Sequence, residues 1–361
     1  MGNKYYSLKE INKKEAQYNI ILGMRSNGKS YAVKEHLVKE ALNKDTVTGV
    51  LVRRLDADIK KSIIENYFDD IPIKKLSGGS YDCFSFWQGT FYFAHIEEDG
   101  KVTRDKKFCR VLALANDERY KSSTVLPEVT TIIYEEFTTN KLYLNNEVER
   151  FFNLISTVCR NKEVKVYMIA NKISRVCPYF SELNLKGIPK MDDVHGQIDL
   201  YEFKTLDGNV VKIAVEMCAP IENKKTSGMF FGLASKNIDG TEWQTSEHPH
   251  LIGTVKDYEI LKELSLQHLD FTFNIMLLLH KKEEFMCVYV YPAHIKVHDR
   301  LLTGQYDANR NHTPTLHAKN KAECMIARLI KDNKLVFPTN LVGEDFYSTI
   351  NNMKTYPFML V

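Results

Sequence analysis

The stretch Tyr18–Ser30, YNIILGMRSNGKS, limits the possible folds more than any other part of the chain. The apolar run YNIIL leads without interruption into Gly23-Met24-Arg25-Ser26-Asn27-Gly28-Lys29-Ser30, a full match to G-x-x-x-x-G-K-[ST]. The residues that follow, SYAVKEHLVKEAL, place apolar side chains at helical spacing. A strand that turns through a glycine-containing loop into a helix aims successive backbone N–H groups and the positive end of the helix dipole at one point, which suits phosphate. Lys29 is then placed to reach the β- and γ-phosphates of ATP, and the Ser30 hydroxyl to hold Mg²⁺. Gly23, Arg25, Ser26, Asn27, Gly28, Lys29, Ser30 and Tyr31 form the expected ATP-binding set.

Such a unit needs a sheet around it. Further strands are expected at Gly49–Val52, Thr90–His95, Val111–Ala115, Thr131–Tyr134 and Val164–Ala170, several of them apolar throughout, as strands covered on both faces are. Helices are expected at Lys29–Leu42, Ala57–Asn66 and Asn145–Arg160. Their alternation predicts an α/β P-loop NTPase domain with a mostly parallel sheet and helices on both faces. The run TIIYEEF ends a strand in two carboxylates. Glu135 is expected to face the metal, and Glu136 to act as the base on the attacking water. Glu135 stands where an aspartate is usual. Asn171, at the end of VKVYMIAN, is expected to hold the lytic water or the γ-phosphate.

Hydrolysis spreads negative charge over the γ-phosphoryl oxygens, so a cation supplied by a neighbouring subunit is expected. Arg160 leads the candidates, followed by Arg150 and Lys121. Arg25 could act in cis, and the Arg53-Arg54 pair could steer nucleotide or DNA. Lys60 and Lys61, just downstream, are the DNA-contact candidates.

Composition sets broader bounds. The chain has 361 residues, 44% hydrophobic and 26% charged, which suits a soluble protein of two domains. No uninterrupted apolar stretch approaches membrane-spanning length, and the start, MGNKYYSLKEINKK, lacks the apolar core of a signal peptide. The cytoplasm, without membrane association, is therefore expected. Seven scattered cysteines include no C-x-x-C pair, which argues for reduced thiols. A formal net charge of +3 is too small to argue for nucleic-acid binding by itself.

The pattern changes after about residue 190. Gln197–Lys204 and Val210–Met217 read as two strands joined through Asp207-Gly208. The boundaries expected are an ATPase domain at 1–220, a linker at 221–245 and a smaller α+β domain at 246–361. In the last, His268–His280 reads as a buried apolar segment, Phe285–Tyr291 and Ala293–His298 as paired strands, and Ala318–Lys331 as a helix. Those paired strands carry no acid. Asp270, Asp299, Asp307 and Glu323 read as turn or helix-surface residues, so a two-metal nuclease site is not expected. His294, His298, His312 and His317 match no metal-ligand spacing.

Taken in order, the P-loop with its internal arginine, GMRSNGKSY, the arginine pair, YKSS upstream of TTIIYEEF, STVCRN and MIANKIS resemble the DNA packaging ATPases, or encapsidation proteins, of phi29-like phages. These are additional-strand ring ATPases related to large terminases and FtsK/HerA translocases. The motifs span residues 20–175, and the C-terminal third resembles the family by length and position. The resemblance implies a homomeric ring, a pentamer, at the portal of an empty procapsid. It also implies double-stranded viral DNA as substrate, a packaging RNA between capsid and motor, and Arg160 and Lys121 acting in trans. The host cytoplasm, with transient attachment to the procapsid and no place in the mature virion, follows as the expected location. The C-terminal domain is implied to be RNase H-like and nuclease-inactive. Two other readings remain open on the residues alone: a cellular FtsK/HerA-like translocase or helicase, and a nucleotide-switched binding module.

Overall fold

A computed structural model describes residues 5–121, 126–160, 162–185, 188, 196–205, 207–218, 243, 245–293, 300–304, 311–353 and 355–358. The chain divides into two compact units, one of 1–138, 144–172 and 187–242, the other of 139–143, 173–186 and 243–361. The division is discontinuous, unlike the simple succession expected. Two short segments, each following a strand of the large sheet, group with the C-terminal residues.

In chain order, the first unit holds α1 (Lys9–Asn12), β1 (Tyr18–Gly23), α2 (Lys29–Leu42), β2 (Gly49–Arg53), α3 (Lys61–Ile64) and α4 (Ile73–Leu76). It continues with β3 (Cys83–Trp87), β4 (Thr90–Ile96), β5 (Val102–Ala113), α5 (Asp117–Tyr120), β6 (Thr131–Glu135), α6 (Glu147–Cys159) and β7 (Lys165–Asn171). The hairpin β8 (Ile198–Lys204) and β9 (Val210–Met217) completes it. These make a nine-stranded sheet in the order β3-β4-β5-β2-β6-β7-β1-β9-β8. The strands from β5 to β9 run parallel, with antiparallel pairs only at the two edges. On one face, Val33, Leu37 and Val38 of α2 share a core with Ile21, Leu51 and Ile133. On the other, Phe151 of α6 meets Tyr134 with ring centroids 5.0 Å apart. Ile133 and Tyr134 are consecutive, so strand alternation sends them to opposite layers. The expected sheet with helices on both faces is present.

Local expectations fared unevenly. The helix Lys29–Leu42 forms over the range predicted. The helix expected at Ala57–Asn66 breaks into a 3-10 turn, Asp56–Ile59, and the single turn α3, because Lys60 between them is extended at φ −62, ψ 142. The strand expected at Val111–Ala115 ends at Ala113, and its chain starts nine residues earlier.

The second unit holds α7 (Pro178–Glu182), then β10 (Tyr258–His268), β11 (Phe271–His280), β12 (Met286–Pro292), β13 (Leu301–Thr303), β14 (His312–Thr313), α8 (Lys321–Lys331), β15 (Leu335–Val336) and α9 (Asn340–Asn352). Its sheet runs β14-β13-β10-β11-β12-β15. β10, β11 and β12 form an antiparallel meander, and β13 and β14 extend it in parallel beside β10. Leu264, Phe273 and Val288 pack with Ile326 and Ile330 of α8 and with Phe346 and Ile350 of α9 in one core. This is the smaller α+β unit expected, but β10 and α9 were not foreseen. The expected linker 221–245 lies almost wholly outside the described residues, as does most of the strand expected at Ala293–His298.

Candidate active site

The strand order β2-β6-β7-β1 explains the site. Parallel strands end on the same edge of a sheet, and ligands of open α/β sheets bind beyond that edge. Along it stand Arg53 at the end of β2, Glu135 at the end of β6, Asn171 at the end of β7 and the phosphate loop after β1. A cleft of about 1110 Å³ opens there. It is lined by the whole run from Arg25 to Ala32 and by Glu135, Glu136 and Asn171. Residues more than a hundred positions apart in sequence thus line one cleft.

Within the loop, Gly28 takes φ +93, open to glycine and costly to other residues. Lys29 is 4% exposed. Its ammonium donates to the carbonyls of Gly23 (3.2 Å) and Met24 (2.5 Å), to Asn27 Oδ1 (3.2 Å) and to Asn171 Oδ1 (3.4 Å). A buried charge needs such partners. Asn27 is buried and also accepts from the Lys29 backbone N–H at 3.2 Å, so its side chain braces the loop from inside. Arg25, Ser26 and Tyr31 are exposed at the rim. The Lys29–Asn171 contact joins the loop to β7, and the Thr138 hydroxyl donates to the Asn171 carbonyl at 3.0 Å.

The two acids differ. The Glu135 side chain is 11% exposed and that of Glu136 is 68% exposed. Arg53 spans them, with Nη1 3.5 Å from Glu135 Oε2 and Nη2 3.3 Å from Glu136 Oε2. Arg54 turns the other way, to Glu147 and to the backbone carbonyls of Glu136 and Phe137. Arg53 thus meets the two acid side chains, and Arg54 the backbone of the turn that carries Glu136. Glu135 Oε1 is buried and, among the described residues, has no hydrogen-bond partner. An orphaned carboxylate oxygen in the same cleft as Ser30 is a donor set that fits Mg²⁺. Tyr67 lies close by; burial first, and then the Glu135 charge, pushes its phenol well above the usual range.

Sequence reasoning missed the segment that covers the loop. Tyr5, Tyr6, Ser7, Leu8, Lys9 and Asn12 line the cleft, and the Tyr6 N–H donates to the Asn27 carbonyl at 2.9 Å. The Tyr6 hydroxyl donates to Glu216 Oε2 of β9 at 2.7 Å. Burial raises the pKa of Tyr6 far above its usual value, reinforced by Cys218 and Glu216, and burial likewise raises that of Glu216. Two adjacent tyrosines in a polar N-terminus were the only signal available.

The other expected residues divide. Arg160 follows α6 at φ +37 and is exposed. Because β6 and β7 are parallel, α6 must run back across the sheet, and its last turn meets the chain that leads into β6, where the Leu126 N–H bonds the Val158 carbonyl at 3.1 Å. Arg160 is thus on the edge opposite the cleft of its own chain. Arg150 is occupied: Nη1 lies 2.9 Å from Asp117 Oδ1, whose side chain is 2% exposed, which favours a structural role over the trans role considered for it. Lys121 is exposed and pairs with Glu118 at 2.7 Å. Lys60 and Lys61 are exposed, and Lys61 lies 3.6 Å from Glu65.

In the C-terminal unit, Glu323 is buried, not on the surface: it lies in the first turn of α8, which Asn320 caps, accepts from the Lys319 N–H at 2.7 Å, and faces Lys262 and Arg300, each at 3.7 Å. Asp299, Asp307, His294 and His298 lie outside the described residues. β10 adds two acids, Glu259 and Glu263, that the reading of acid-free strands omitted. Among the described residues no group of three or more His, Cys, Asp or Glu could hold a metal, and no helix is long and apolar enough to cross a membrane.

A profile of the podovirus DNA encapsidation protein (Gp16) family matches residues 2–334. The DNA packaging protein of Bacillus phage phi29 is 28% identical over 263 residues, covering 72% of this chain and 68% of the phage protein. That of Bacillus phage B103 is 29% identical over 268 residues, covering 72% and 70%. Among solved structures, the phi29 genome packaging motor assembly aligns over 96% of this chain and 98% of its own, with a TM-score of 0.57 and 21% identity. The Phi-28 gp11 DNA packaging motor aligns over 98% and 99%, with a TM-score of 0.52 and 16% identity. At those identities the structures speak for a common fold.

Proposed function

We propose that this chain, which belongs to the podovirus DNA encapsidation protein (Gp16) family, hydrolyses ATP to drive double-stranded viral DNA into a preformed procapsid. One observation carries the ATPase reading: Lys29, Glu135, Glu136 and Asn171 line one cleft at the mouth of a phosphate loop. The backbone N–H groups of the loop and the start of α2 would bind the phosphates. Lys29, already held among oxygens, would exchange part of that set for the β- and γ-phosphates. Ser30 and Glu135 would hold Mg²⁺, which when bound screens phosphate charge. The exposed carboxylate of Glu136 can orient a water and accept its proton, and Asn171 can fix the γ-phosphate or that water. Arg53 restrains both acids at the cleft mouth.

The position of Arg160 supports assembly. A cation on the far edge of its own sheet can reach a γ-phosphate only in another copy, which favours a homomeric ring with Arg160 as the trans-acting residue and Lys121 as second candidate. A pentamer at the portal vertex, with a packaging RNA, extends the family likeness. So does the proposed location, the host cytoplasm with transient attachment to the procapsid.

Steady-state ATPase measured with procapsids plus DNA, and without either, tests the reading. Glu136→Gln is expected to keep ATP binding and lose stimulated hydrolysis by about 10²–10⁴-fold, the usual contribution of a general base. Absence of stimulation in the unmodified chain would count against packaging. Mixing Arg160→Ala with Glu136→Gln subunits is expected to restore some turnover, because certain interfaces then pair an intact Glu136 with an intact Arg160. No restored turnover at any mixing ratio would remove Arg160 from the trans role.

A further inference from the structure

Glu136 takes φ +55, a left-handed conformation that a residue with a β-carbon enters only at a cost. Something must hold it there. Its N–H donates to the Ile169 carbonyl of β7 at 2.8 Å. Its own carbonyl accepts from Arg54 Nη1 at 3.1 Å, and the next carbonyl, of Phe137, accepts from Arg54 Nη2 at 2.6 Å. The remaining edge of the guanidinium faces Glu147 in the first turn of α6, with Nε 3.1 and 2.9 Å from its two carboxylate oxygens. Glu147 accepts in addition from the Tyr134 hydroxyl and from the Leu144 N–H, each at 2.8 Å. The side chains are 13% and 0% exposed, and neither residue lines the nucleotide cleft.

We propose that Arg54 and Glu147 are positioning residues for hydrolysis: the guanidinium fork, oriented by the buried carboxylate, fixes the Glu136–Phe137 turn so that the Glu136 carboxylate faces the cleft. The inference rests on the ATPase reading above. A planar fork spreads its donors over three nitrogens in a fixed plane and so spans two successive carbonyls and a carboxylate on its far side, whereas an ammonium offers all its donors from one point. The same pair ties the turn to the first turn of α6, the helix that Arg160 follows, so α6 links the catalytic turn to the proposed trans-acting residue.

The test uses the full-length chain with three variants: Arg54→Lys, Arg54→Gln and Arg54→Gln/Glu147→Gln. Arg54→Gln strands a buried carboxylate and is expected to lose stability; the double variant removes both charges and is expected to recover it. ATPase kinetics decide the matter. All three variants are expected to keep KM for ATP within twofold while kcat falls, at least tenfold in the double variant and less in Arg54→Lys. If kcat returns together with stability in the double variant, the pair is structural only and the inference fails. It fails equally if Arg54→Lys matches the original kcat, or if KM rises with kcat unchanged. Should the unmodified chain not hydrolyse ATP, the ATPase reading itself falls; normal turnover in the variants overturns the positioning role alone.

Discussion

Gly23 ends β1 and opens the phosphate loop, and its neighbour across the sheet makes it a sensitive probe. A β-carbon added there would lie 2.9 Å from the Cys218 β-carbon and 3.3 Å from Asn27 Nδ2, inside the 3.4–4 Å of ordinary contact. Neither β-carbon can rotate away, because each is fixed by its backbone, and the Cys218 N–H is bonded to the Leu22 carbonyl at 2.8 Å. Gly23→Ala must therefore push the end of β1 away from the chain after β9, an overpacking cost of about 1–3 kcal/mol. The displacement reaches the site, since the Gly23 carbonyl and Asn27 both hold the Lys29 ammonium. If about 1.4 kcal/mol of that strain falls on the binding-competent loop, nucleotide affinity drops about tenfold. Titration with a fluorescent ATP analogue and urea unfolding measure the two effects. Cys218→Gly removes the opposing β-carbon and should rescue both in the double variant, with a coupling of at least about 1 kcal/mol. Strictly additive effects, or a Gly23→Ala chain that binds ATP normally, would refute the steric account.

Two further expectations concern titration. Burial raises the Glu216 carboxyl above its usual pKa, so the folded state holds that proton more tightly than the unfolded chain; its contribution to stability is full below the unfolded pKa and is lost as pH rises through the folded value. Glu216→Gln should therefore gain melting temperature relative to the original chain between pH 4 and pH 7, and a difference constant with pH would contradict the burial. Burial also pushes the thiols of Cys159 and Cys287 up to about 11 and that of Cys218 up to about 12, whereas Cys324 is exposed. Iodoacetamide on the native chain near pH 7.5 should modify Cys324 well before these three, as read by peptide mass spectrometry; comparable labelling would show that the cores open readily.

Most of the large sheet was legible because its signals are local. β1, the loop and α2 are continuous in sequence, and β6 and β7 are apolar runs that end in the residues used. What escaped depends on contacts that sequence spacing cannot express. β3 is a partly exposed edge strand, and β10 puts its first half at the surface, so neither shows a clean apolar pattern. The expected helix at 57–66 failed on one extended residue, Lys60. The Arg53-Arg54 pair was noticed, but its partners are 82 to 93 residues downstream, so only the folded chain shows that one arginine serves the acid side chains and the other the turn beneath them. The covering of the loop by Tyr5 and Tyr6 was silent for the same reason, since Tyr6 meets Glu216 across 210 residues.

A structure of the chain bound to magnesium and a slowly hydrolysed ATP analogue most directly tests the central claim. The account predicts the β- and γ-phosphates against Lys29 and the loop amides, the metal on Ser30 and facing Glu135, and Glu136 at the same mouth within reach of the γ-phosphate. A nucleotide seated elsewhere, or both glutamates turned away from the metal, would contradict it.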